Sequence, residues 1–133
     1  MNEKLVAATA SITVTVAPQR IVSGSFVGNA ADNRSFSGLG FAPEVVIVLD
    51  QTGTQVGVIR NSEMVGDAAK PMSGSTALAA NLIQSLDADG FTLGNDLRVN
   101  KTGDTYQWIA FGANPHLHVG TYTGNGGSLA ITG

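Results

Sequence analysis

Apolar and polar residues alternate with a period of two along most of this chain, and glycine-bearing turns interrupt the pattern at short intervals. Alternation of that kind places successive side chains on opposite faces of an extended backbone, so the chain is committed to strands. Ser11-Ile12-Thr13-Val14-Thr15-Val16 is the plainest stretch, with Ile12, Val14 and Val16 on one face, and Pro18 closes it. Ile21–Val27 is the next strand, ending in Gly28-Asn29, and Asn33-Arg34 leads into Ser35-Phe36-Ser37. Glu44–Leu49 is apolar on both faces, which places it at the centre of a sheet. Asp50-Gln51-Thr52-Gly53-Thr54 has turn chemistry, and Gln55–Arg60 returns to complete a hairpin. Phe91–Leu93 and Leu97–Val99 read as short strands around Gly94-Asn95-Asp96. Thr105–Phe111 is a wide apolar strand bearing the single Trp, and strands at Leu117–Thr123 and Leu129–Thr132 finish the chain.

One segment departs from this period. Leu78, Leu82, Ile83 and Leu86 share a helical face, Ser73–Thr76 offers N-caps, and Asp87-Ala88-Asp89-Gly90 ends the run, so the spacing predicts a helix over Ala77–Leu86. The expected architecture is therefore all-β: an antiparallel β-sandwich, jelly-roll-like, with one short crossing helix. Residues 1–20 are expected to form an N-terminal arm or strand, and residues 21–133 a single sandwich domain.

Composition removes several functions. Net charge is −3 from seven Lys+Arg and ten Asp+Glu, so nothing drives the chain onto nucleic acid or an anionic membrane. The absence of Cys excludes disulfides, Cys-zinc sites and thiol catalysis. No stretch approaches the roughly 20 apolar residues of a membrane-spanning helix, and the opening residues lack the long apolar run of a secretory signal. Charged residues make up only 13 %, against about 25 % in an average protein. A surface covered by Gly, Ser, Thr, Asn and Gln suits a protein packed against copies of itself or displayed outside cells.

An internal echo bears on assembly. Gly24-Ser25-Phe26-Val27-Gly28-Asn29 recurs as Gly120-Thr121-Tyr122-Thr123-Gly124-Asn125, so residues 120–133 read as a partial repeat. Either two similar hairpins sit side by side in one sheet, or the terminal strand completes a neighbouring subunit by strand addition. On the second reading the assembly residues are Ile12, Val14 and Val16 in the leading strand and Tyr122, Leu129 and Ile131 in the trailing one.

Other candidates are local. In His116-Leu117-His118 the two imidazoles would share a strand face and could ligate one metal, although Pro115 starts the segment in a loop and two exposed histidines are commoner than a site. Asp87-Ala88-Asp89-Gly90 lacks the third acidic position and distal Glu of a calcium loop and reads as a turn. Gly24-Ser25-Phe26-Val27-Gly28 places its Ser one position early for a nucleophile elbow, and no Walker loop is present. Neither an enzymatic activity nor a cofactor is expected. Trp108 and Tyr106 share a face and could stack on a sugar, as exposed aromatics do in glycan-binding sandwiches; a lone Trp on an apolar strand is more often core.

Several blocks together resemble a known domain. Gly24–Asn29, Asp32–Ser35, Gly40-Phe41-Ala42-Pro43 followed by Glu44–Val48, Ser62–Asp67, Ala79–Phe91 and Thr105–Phe111 resemble a tandem-repeat β domain of bacteriophage tail-fibre-like and large surface proteins. The likeness covers residues 22–133. It implies a structural, non-enzymatic role in a virion, as capsid decoration or as a tail or fibre component, with location on the virion or an extracellular surface after assembly in the host cytoplasm. It also implies a homo-oligomer, with trimers favoured, and other virion proteins as partners. A single repeat with an opening stub favours a small protein multiplied by assembly over a long fibre shaft. The alternative is a cell-surface or host-recognition domain that binds glycans. Neither reading involves nucleic acid or membrane insertion.

Overall fold

The computed structural model describes residues 7–16 and 18–132. Its strands form two antiparallel sheets: β1 (Ile21–Val27), β2 (Arg34–Ser37), β3 (Pro43–Asp50), β4 (Val58–Asn61), β5 (Lys70–Pro71), β6 (Ile83–Asp87), β7 (Gly90–Leu93) and β8 (Thr105–Gly112). One helical turn, α1 (Leu97–Asn100), connects β7 to β8. The larger sheet has the order β1-β8-β3-β4-β5 and the smaller β2-β7-β6. The fold is an all-β sandwich with one short helix.

Alternation along the large sheet fills the space between the layers. Phe26, Val46, Val48, Val58, Tyr106 and Ala110 point inward, and Phe36, Leu93 and the fully buried Phe91 and Ile83 meet them from the small sheet. The aromatic rings pack in a chain: Tyr106 on Phe26 at 5.2 Å, Phe26 on Phe36 at 4.7 Å, Phe36 on Phe91 at 5.0 Å and Phe91 edge-on to Trp108 at 5.2 Å. Such pairs add about 0.5–1.5 kcal/mol each beyond the area they bury. The ring chain requires Gly24 on β1, since a Cβ there would stand 2.7 Å from the Trp108 indole.

Two buried polar side chains secure the loops. The Arg60 guanidinium donates to the carbonyls of Met64, Gly66, Ala68 and Ile83, so one side chain holds the loop after β4 and reaches the small sheet. Burial pushes its pKa down, opposed by the charges of Asp67 and Asp87. Asn100, fully buried, accepts from the Asn29 backbone N–H and from Arg34, and donates to the carbonyls of Ala31 and Gly94. A buried polar group satisfied on every side fixes its surroundings, because leaving any of these partners unmade costs about 1–3 kcal/mol.

The helix stands elsewhere than the spacing predicts. Residues 77–86 contain no helix; Asn81 takes a left-handed φ of 59° with its N–H held by the Asp67 carboxylate, and Ile83–Asp87 is β6. A register shift between Ile83 and Ser85 inserts an extra residue in β6, so Ile83 and Leu86, three apart, both turn toward the core. That bulge gives a strand the apolar spacing of a helix. The turn at Asp87–Gly90 then pairs β6 with β7, and tertiary pairing outweighs local propensity. Conversely, Leu97–Val99, expected as a strand, is α1: the Asp96 side chain caps it by accepting from the Arg98 N–H at 2.9 Å, and the Asp96 carbonyl takes the N–H groups of Val99 and Asn100.

No strand forms at Ser11–Val16, Leu117–Thr123 or Leu129–Thr132, because none of these segments finds a partner strand within the described chain. The echo at residues 120–125 therefore adopts a different local structure from β1. Its Tyr122 is 69 % exposed, whereas Phe26 in the matching position is buried.

The cap gives a pH prediction. The Asp96 carboxyl is held below its ordinary 3.8, chiefly by the Arg98 guanidinium, so its contribution is complete above 3.8 and is lost as pH falls through the acid range below it. Asp96→Asn keeps a capping oxygen and loses the ion pair, which at this exposure is worth up to about 1 kcal/mol. Urea denaturation at neutral pH should show that deficit, and the gap from the unaltered protein should close as the pH is lowered below 3.8.

Candidate assembly surface

The outer face of the large sheet carries an apolar field. Cross-strand register aligns Ile21, Phe111, Val45 and Asn61 in one row, Ser23, Ile109, Ile47 and Ile59 in the next, and Ser25, Gln107 and Leu49 in a third. On β1, β8 and β3 no charged side chain interrupts these rows; the second row ends on Lys70 of β5, which pairs with Ile59. The small sheet and the buried Val99 of α1 lie on the inner side, so no strand or helix among the described residues lies over the outer one. Its middle residues are half-buried by one another, while Ile21 and Leu49 at its margins are 50 % and 45 % exposed. A cleft of about 250 Å³ opens among Ser23, Ile47, Leu49, Gln107 and Ile109. The expectation that Glu44–Leu49 lies at a sheet centre holds, since β3 has two strands on either side. Its second apolar face, however, is not covered by a second layer among the described residues. The signal was present in the double apolar phase of residues 45–49 and 108–111, which a one-sided sandwich strand does not need.

Both flanking segments present further unpartnered apolar residues. Ile12, Val14 and Val16 are 87, 78 and 81 % exposed, and Leu129 and Ile131 are 45 and 68 % exposed. The structure does not bring the leading and trailing residues into a shared strand pair. The trailing segment folds on itself around a cleft of about 400 Å³ lined by His118, Val119, Tyr122 and Ile131, among others. Residues 1–6, 17 and 133 of the expected arm and stub lie outside the described residues.

The other candidates acquire structural surroundings. Tyr106 and Trp108 do share a face, but it is the inner one. Tyr106 is fully buried; its hydroxyl donates to the Leu97 carbonyl at 2.7 Å and accepts from the Lys101 N–H at 3.0 Å, and burial pushes its pKa up. That ring belongs to the core and cannot stack on a sugar. Trp108 is half-buried over Gly24. His116 and His118 are exposed, and His116 lies in a turn, its N–H held by the Asn114 side chain at 2.8 Å; the strand that would align the two imidazoles does not form. Among the described residues no group of three or more His, Asp or Glu stands close enough to hold a metal ion. No helix among the described residues is long and apolar enough to cross a membrane.

Asp89 is the main polar residue that the motif reading placed only as a turn. Its carboxylate accepts from the N–H groups of Gly38 and Gly40, at 3.0 and 2.6 Å, and its carbonyl accepts from Leu39, so it anchors the β2–β3 loop. No protein-family model, curated protein or solved structure matches the chain.

The Tyr106 hydroxyl separates a core role from a binding role. Tyr106→Phe should lower stability by about 1–3 kcal/mol in urea titration, because the Lys101 N–H and Leu97 carbonyl lose a buried partner. Its self-association, measured by sedimentation velocity, should be unchanged.

Proposed function

We propose that this chain is a structural, non-enzymatic building block that self-associates through β-strand and sheet-face contacts, as a capsid-decoration, tail or fibre component of a phage-like virion. The observation that carries the reading is the charge-free apolar outer face of β1, β8 and β3. Exposed apolar patches of that continuity mark contact with another macromolecule, since water stays in contact with them otherwise at about 25 cal/mol per Å². The low charge of 13 % is consistent with the same reading, because neighbouring copies hide surface that a monomer would have to keep soluble. The virion assignment rests on the resemblance to the tail-fibre repeat. The motif residues behind that resemblance fall at core and turn positions: Gly24 beneath Trp108, Phe26 and Phe91 in the ring chain, Asp89 at the loop anchor. They support the likeness as a fold signature.

Sedimentation velocity across a concentration series tests self-association. A homo-oligomer, with a trimer favoured, is expected at micromolar concentration. Ile109→Lys, in the middle of the outer face, should shift the distribution toward monomer while the thermal midpoint moves by only a few degrees. A monodisperse monomer at every concentration would sink the proposal. Mass spectrometry of purified particles from the source cells checks the virion assignment, with the chain expected as a stoichiometric component.

A further inference from the structure

Among the described residues the large sheet has one unprotected edge, and its backbone hydrogen-bonding phase can be read directly. The Arg20 carbonyl accepts from Gly112 and the Gly28 N–H donates to Asp104, so even-numbered residues of β1 bond to β8. The N–H and C=O groups of Ile21, Ser23, Ser25 and Val27 therefore point away from the sheet. At the two ends the chain covers its own carbonyls: Gln19 Nε2 donates to Ile21 O at 2.8 Å and an Arg34 guanidinium nitrogen to Val27 O at 2.8 Å. Between these clips, the backbone groups of Ser23 and Ser25 have no hydrogen-bond partner among the described residues.

The remaining edges carry the usual protections. β5, at the far side of the same sheet, is two residues long and consists of Lys70 and Pro71. In the small sheet β6 is bulged and ends in Asp87, and β2 is four residues long and begins with Arg34. Short length, charge, proline and bulges all discourage strand addition. β1 has seven residues, no charge, no proline and no register shift in its pairing with β8.

A segment suited to that edge exists on the same chain. Ser11–Val16 alternates strictly, carries no charge or proline, and is exposed and unpaired among the described residues. We infer that residues 11–16 of a second copy add as a strand to the β1 edge, bonding the outward N–H and C=O groups of Ser23 and Ser25. The inference rests on the self-association proposed above and names the strand contact within it. A second copy is favoured over the chain's own arm by the link between arm and edge. An arm turning back through residues 17–20 would open its ladder on the Ile21 carbonyl, where it would compete with the bond from Gln19, and Pro18 supplies no N–H to a turn there. The contact needs no charges, so it fits a chain with few of them, and six residues of added strand supply main-chain affinity with pockets for alternate side chains.

The chain has no cysteine, so crosslinking is free of background. Ser25 lies on the outer face, where Ile12, Val14 and Val16 of an added strand would continue the apolar rows, so two single-cysteine proteins, one Val14→Cys and one Ser25→Cys, are mixed and oxidised, in parallel with the double variant alone. The inference predicts a mixed disulfide dimer of the two single variants. A crosslink only within the double variant's own chain would overturn it in favour of a self-hairpin, and no crosslink in either sample would overturn strand addition altogether. Hydrogen exchange on the unmodified protein gives an independent readout. The Ser23 and Ser25 amides should be protected in a concentration-dependent way, and deletion of residues 1–16 should raise their exchange at least tenfold while leaving Val46 and Ala110 protected. An oligomer that persists with freely exchanging Ser23 and Ser25 amides would reject this contact and retain self-association; a monomer at all concentrations would reject both.

Discussion

The chain of rings from Tyr106 through Phe26, Phe36 and Phe91 to Trp108 is the contact on which both layers depend. It crosses from β8 and β1 in the large sheet to β2 and β7 in the small one, so no strand bearing a ring can shift register without separating two contacts. Glycine is required wherever a ring or a facing backbone lies against the main chain. Gly24 accommodates the indole, Gly112 accommodates Phe41, and at Gly90 a Cβ would fall 1.8 Å from the Phe36 carbonyl oxygen. Part of the high glycine content is thus a packing requirement, separate from the turns at Gly38, Gly40 and Gly103, where positive φ angles demand it. Arg60 and Asn100 complete the arrangement, converting loop carbonyls that a small core cannot shield into satisfied partners.

Concentrating the rings on the inner side has a consequence for the outer one. β3 and β8 are flanked on both sides by other strands, and their inner positions already fill the gap between sheets. The outward residues Val45, Ile47, Ile109 and Phe111 are thus surplus to the core of one chain. An antiparallel sheet with a solvated face normally carries polar residues there. The outer rows instead continue the apolar pattern, and the same sheet ends in a long edge without charge. Face and edge adjoin along β1, so strand addition at Ser23 and Ser25 would extend the apolar rows that begin with Ile21.

What was legible in the residues follows from which interactions are local. β1 has the bounds that alternation gives it, and β2, β3, β4, β7 and β8 lie within a few residues of theirs, because each strand's alternation reports a one-sided or two-sided apolar environment. The Asp50 turn was legible because its carboxylate takes the N–H groups of Thr52, Gly53 and Gln55, a local side-chain device. β6 was misread because a bulge resets the phase of a strand, and a single sequence carries no mark that separates that reset from helical spacing. α1 was missed because one turn, capped by Asp96, is too short to develop a period. The outer apolar face was visible as a double phase, yet its lack of cover depends on how many layers the chain supplies. The terminal segments show the same limit from the other side: alternation in Ser11–Val16 reports capacity to form a strand, and a strand exists only where a second edge supplies the hydrogen bonds.

Donor arm and acceptor edge are separated by residues 17–20 alone, a reach of about 13 Å when extended. A copy that lends its arm to a neighbour therefore holds its own β1 edge close to the neighbour's β1 edge. Reciprocal exchange then pairs the two edges about a twofold axis, whereas exchange in one sense around a ring closes at a small number of copies. The apolar outer rows adjoin β1, so an arrangement that brought the two edges together would also bring these rows near one another. Strand exchange would set the direction of association through main-chain bonds and the sheet face would supply the apolar area, so neither contact would call on the few charges that this sequence carries.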